Sequence, residues 1–188
     1  MTASETPPRR PNRGPAAAAG NRRALIAAAR EIFAAEGPAV PFTAIAKRAG
    51  VGQGTLYRHF PDRVSLAVAV FEENVVALED ELRDDGTIAD LLDRIVEQAT
   101  ASTALVQLLL GRETDPRTVE LASRFEGLVA TLIERDRAAG RIGAHVEPAD
   151  VAIAVSMLAH ELAATPEPDR EPAAHRARRL FDVAFAPR

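Results

Sequence analysis

Apolar residues recur along this chain at intervals of three and four with polar residues between them, a spacing that predicts helices from residue 21 almost to the end. The first runs from Asn21, a good N-cap, to Glu36 and turns Leu25, Ala29, Ile32 and Phe33 to one side before Gly37-Pro38 ends it. Two short helices follow between Phe42 and Phe60: Ile45, Ala46 and Ala49 give one an apolar side, and Leu56 and Phe60 anchor the other. Gly50 stands between them, where a residue just past a helix end takes positive φ, and Val51 closes the corner. A long helix is capped by Asp62 and reaches about Arg83, with Leu66, Val70, Phe71, Val75, Leu78 and Leu82 at helical spacing.

Beyond Gly86, Thr87 caps a strongly amphipathic helix carrying Ile88, Leu91, Leu92, Ile95, Val96 and Ala99. Ala104 to Leu110 reads as a buried helical segment ended by Gly111. Asp115-Pro116 opens a helix to about Ala139, with Leu121, Phe125, Leu128, Val129, Leu132 and Ile133 inward. Pro148-Ala149-Asp150 opens another with the stripe Val151, Val155, Leu158, Leu162, and the last, from about Pro172, carries Ala177, Leu180, Phe181, Ala184 and Phe185. No strand pattern occurs, so the expected fold is all-α.

Composition narrows the class. The chain has 188 residues, 47% of them hydrophobic, enough for one or two small cores. It has no cysteine, which excludes disulfides and thiolate metal sites. No apolar run approaches a membrane span and the N-terminus is not a secretory signal, so a cytoplasmic protein without membrane contact is expected. The four histidines, His59, His145, His160 and His175, lie in separate segments without metal spacing. No Gly-rich phosphate loop or nucleophile elbow is present, so no catalytic residue, metal or cofactor is expected and an enzyme is disfavoured.

Charge divides the chain. Residues 1–63 hold ten Lys and Arg against four Asp and Glu, whereas residues 64–188 hold 13 against 23. A basic module joined to an acidic one suits a nucleic-acid binder with a separate sensing or assembly domain. The boundaries expected are a disordered basic arm over residues 1–20, a helix-turn-helix domain over 21–63 and a helical effector-binding and dimerisation domain over 64–188. The run Glu79, Asp80, Glu81, Asp84, Asp85 has the wrong sign for a helix C-terminus, at a cost of a few tenths of a kcal/mol each when exposed.

The two short helices carry the chemistry. With Leu56 and Phe60 inward, Gln53, Thr55, Tyr57, Arg58 and His59 are left on or near the outer side, a set of hydrogen-bond donors and one charge suited to a phosphate-lined groove of double-stranded DNA. Gln53 can bond both N6 and N7 of adenine, and Thr55 can touch a thymine methyl. Gly54 allows close backbone approach.

The run Gly54-Thr55-Leu56-Tyr57-Arg58-His59-Phe60 followed by Pro61-Asp62, with Ile32-Phe33, Ile45-Ala46, Gly50-Val51 and Leu66 around it, resembles the signature of TetR-family transcriptional regulators over Leu25 to Val70. The resemblance implies that Tyr57 and His59 hold phosphates, with Thr43 and Arg63 doing so from either side and Arg58 open between base and phosphate. It implies a homodimer, in which the last two helices pack against their copy as a four-helix bundle. The interface expected is Val151, Val155, Leu158, Leu162, Leu180, Phe181 and Phe185, although the same stripes could instead complete an internal core. It also implies a repressor released from a palindromic operator by a small apolar effector, with Gln98, Gln107, Phe125 and Met157 as candidate lining residues because they interrupt aliphatic inward faces. The alternative is a constitutive or architectural DNA-binding protein whose C-terminal domain only dimerises or binds another protein.

Overall fold

The computed structural model describes residues 14–37, 39–101, 115–166 and 168–188. Gln107 and the segment from Ala104 to Gly111 lie outside the described residues, as does the arm as far as Arg13. Among the described residues there are eight helices and no strand: α1 (Pro15–Glu36), α2 (Phe42–Arg48), α3 (Gln53–His59), α4 (Arg63–Glu81), α5 (Ile88–Ala101), α6 (Pro116–Ala138), α7 (Pro148–Ala164) and α8 (Arg170–Phe185). None is long and apolar enough to cross a membrane.

Helix α1 starts six residues before the expected Asn21 cap. Pro15 at its first position has φ preset for a helix, and Ala16 to Ala19 have the highest helical propensity, so the helix starts without a capping side chain. Leu25, Ala29, Ile32 and Phe33 are buried as the spacing predicts, and they pack with Phe42, Ile45 and Ala46 of α2, Leu56 of α3, and Phe60, Leu66 and Val70 into one core. Gly50 takes φ +68°, as the turn between α2 and α3 requires.

Asp62 caps α4 in a reciprocal box: its carboxylate accepts the Ser65 N–H at 2.7 Å, and the Ser65 hydroxyl lies 3.3 Å from the Asp62 N–H. At the other end, the expected mismatch of acidic residues with a helix C-terminus is met from outside. Arg135 of α6 donates to the carbonyls of Leu82, Arg83 and Gly86 at 2.6–2.9 Å and so brings a cation to the helix end. Arg124 forks onto Glu79, and Arg94 pairs with Glu81. Gly86 follows so closely on Leu82 that a Cβ there would lie 2.5 Å from it.

The C-terminal core gathers Leu78 and Leu82 of α4, Ile88, Leu91 and Leu92 of α5, Val129, Leu132 and Ile133 of α6, and Val151 and Ala154 of α7. One carboxylate lies inside it. Asp136, 1% exposed, accepts the Ile88 N–H at 2.8 Å and pairs with Arg141, so α6 holds the first turn of α5 in place. Burying that charge is tolerable because both of its oxygens are bonded.

Candidate nucleic-acid interface

Leu56 is the one buried residue of α3, and it anchors the helix on the N-terminal core. Everything else on α3 is arranged around that anchor. Gln53, Gly54 and Arg58 are exposed, Thr55 and His59 are half-buried, and Tyr57 is 49% exposed. The Tyr57 ring stands edge-on to Phe42 of α2, with centroids 5.6 Å apart and planes at 69°, so its body is packed while part of it faces solvent. This arrangement presents an amide, a hydroxyl-bearing aromatic, a guanidinium and an imidazole from two turns of helix, a donor-rich set for phosphate and base edges.

Thr43 lies half-buried in the first turn of α2, behind Pro41, which caps the helix without a side-chain hydrogen bond. Arg63 is held inside the domain: it donates to the Val40 carbonyl, and its guanidinium lies 6.0 Å from the Phe42 ring. It therefore braces the entry to α2 against the start of α4. Arg22 of α1 does the same for the other side of the turn, 5.4 Å from the Phe60 ring. Neither brace has a local signature, because the partners lie 20 or more residues away. Exposed Lys47 and Arg48 line the α1 side of α2 with Glu31 and Glu36, and Arg48 bonds Glu31 at 2.7 Å.

In the C-terminal domain the expected residues separate. Gln98 on α5 and Phe125 on α6 are half-buried, whereas Met157 is 60% exposed on the outer side of α7. An internal lining position for Met157 is thus corrected. It borders an open groove of about 400 Å³ with Ile153, Phe181 and Phe185.

The interface expectation is corrected in the same way. Val151, Leu158 and Leu162 are buried in the protomer's own cores, Val155 and Phe181 pack against them, and Phe185 is buried too. Val151, Leu158 and Leu162 are thereby enclosed and have no area left for a partner, whereas Val155 and Phe181 stay half-buried and keep some. Of that set Leu180, 70% exposed, stands fully outward, and other exposed large apolar residues on the same two helices are Ile153, Met157 and Val183. The outward positions repeat at i and i+4 on α7 and at i and i+3 on α8, one step around each helix from the stripe that enters the core.

Residues 25–70 match the family model described as bacterial regulatory proteins, tetR family. Solved structures align over most of the chain. A TetR transcription regulatory protein from Mycobacterium vanbaalenii is 30% identical, covering 91% of this chain and 98% of its own, with a TM-score of 0.61. A TetR transcriptional regulator from Streptomyces coelicolor is 27% identical over 88% and 98%, with a TM-score of 0.63. NalD, the secondary repressor of the MexAB-OprM multidrug efflux pump in Pseudomonas aeruginosa, is 20% identical over 90% and 98%, with a TM-score of 0.59, and shares the fold. No curated protein matches the sequence.

Proposed function

The chain belongs to the TetR family of bacterial regulatory proteins, and from that premise we propose a homodimeric repressor that a small apolar molecule releases from a palindromic operator. The family makes it a DNA-binding transcriptional regulator; the dimer, the sign of regulation and the effector are the proposal. The observation that carries the dimer is that Ile153 and Met157 on α7 and Leu180 and Val183 on α8 are large apolar residues left exposed. Large apolar side chains left exposed at helical spacing on the two terminal helices suit an association surface. A second copy also answers the limit of a seven-residue recognition helix, which reads few bases alone but a palindrome when paired by a two-fold axis.

Gln53 and Thr55 read bases in this proposal, and Tyr57, Arg58 and His59, with Thr43 at the edge, hold the backbone. Arg63 acts by bracing Phe42. Gln98 and Phe125, both half-buried, are the candidates for contact with the effector. An effector bound there would act on DNA only through a difference in affinity between two separations of the reading heads. The repressor sign is carried over from NalD.

The test is binding of the purified protein to DNA from upstream of its own gene and its neighbour, titrated over salt and footprinted. A salt-sensitive, selective complex protecting a palindrome supports the proposal. Equal affinity for random DNA sinks the operator reading and favours an architectural protein, and a selective complex that no apolar compound releases sinks the effector.

A further inference from the structure

Two helix N-termini meet at the junction of the domains. Asp62 caps α4 directly behind the recognition helix, and Asp115 caps α6, accepting the Arg117 N–H at 3.0 Å. The Arg117 side chain fills the space between them. Its Nε and Nη2 bond the Asp115 oxygens at 3.0 and 2.7 Å, while Nη1 lies 3.1 Å from both oxygens of Asp62. A planar guanidinium forked onto one carboxylate and bridging to a second permits little relative movement of the two.

We propose that Arg117 is a positioning residue for DNA recognition: it clamps the N-terminus of α6 to that of α4 and so presets how the reading head sits on the C-terminal body. This rests on the dimeric operator-binding reading. Asp62 follows Phe60 and Pro61, so the clamp acts at the exit of α3, and a slide of α6 by an ångström or two parts Nη1 from Asp62. The charges agree with the geometry. Burial alone would raise the Asp62 carboxyl, yet the Ser65 N–H and Arg117 hold it below its ordinary value. Hydrogen bonds from Arg117 first to Asp115 and then to Asp62 raise the guanidinium in turn. Both partners are substantially exposed, so the clamp adds little to overall stability; its effect is preorganisation, which lowers the cost of ordering two heads on DNA.

The chain has no cysteine, so Ala27→Cys, at an exposed position on α1, supplies a single spin-label site per protomer. Electron-electron dipolar spectroscopy on the full-length protein then reads the separation of the two heads. Arg117→Gln is expected to broaden that distribution and to weaken operator binding about three- to fivefold, with the salt slope unchanged and the thermal midpoint within about 3 °C. Asp62→Asn keeps a capping oxygen for Ser65 and should give the same loss. The double variant should lose no more than either single one, since both remove one link. An unchanged distribution with unchanged affinity overturns the proposal, as does tighter binding, which would mean that DNA selects another geometry. A salt slope reduced by about one would make Arg117 a phosphate contact instead and also overturns it. Absence of any dipolar signal between labels in the Ala27→Cys protein with Arg117 intact would instead sink the dimer reading.

Discussion

Tyr57 shows how one side chain can hold two duties. Its ring is set by Phe42, and Phe42 is in turn braced by Arg63, so the aromatic body is structural while the phenol remains available. Tyr57→Phe keeps the ring and removes one donor; it is expected to weaken binding to every DNA sequence by about five- to tenfold without lowering the melting temperature. Gln53→Ala should instead change preference at one base pair per half-site by about 1–3 kcal/mol, and a selection over randomised operators reads both effects. The exposure of Gln53 and Arg58 was legible from the apolar spacing of Leu56 and Phe60. The bracing by Arg63 was not, because a side chain that points back to a carbonyl 23 residues away leaves no periodic trace.

At the scale of elements, α4 is fixed at both ends by side chains. Asp62 and Ser65 close its start with a pattern readable three residues apart, as capping boxes are. Its end depends on Arg135, more than 50 residues on, whose donors satisfy carbonyls that the helix itself cannot pair. Arg135→Ala is expected to cost about 1–2 kcal/mol, a fall of a few degrees in melting temperature by calorimetry, whereas the exposed acidic residues beside it should each change stability by no more than about 0.5 kcal/mol. The early start of α1 has the opposite origin. Pro15 and four alanines favour a helix on local grounds and outweigh the capping preference of Asn21.

For the whole molecule, the two faces of α7 decide what a substitution does. Leu158, 1% exposed, belongs to the protomer's core, and Met157 beside it is 60% exposed. Leu158→Glu should therefore lower stability by about 3 kcal/mol or more through a buried unpaired charge. Met157→Glu should leave the melting profile of the protomer nearly intact and give monomers by light scattering, with loss of high-affinity operator binding. A dimer that survives Met157→Glu would place the interface elsewhere. By itself the sequence determined the all-α class, the order of the described helices, the turn at Gly50 and which residues of α3 face outward. Each of these depends on residues within about eight positions of one another, where periodicity and turn chemistry act. Only the tertiary structure decided which of two adjacent apolar stripes on α7 and α8 enters the core, what supports the ends of α4, and that Arg117 ties two caps together. A helix bearing apolar residues on two sides has no local preference between them; the choice falls to the neighbours that arrive to cover it, and one of these, α5, lies far back along the chain.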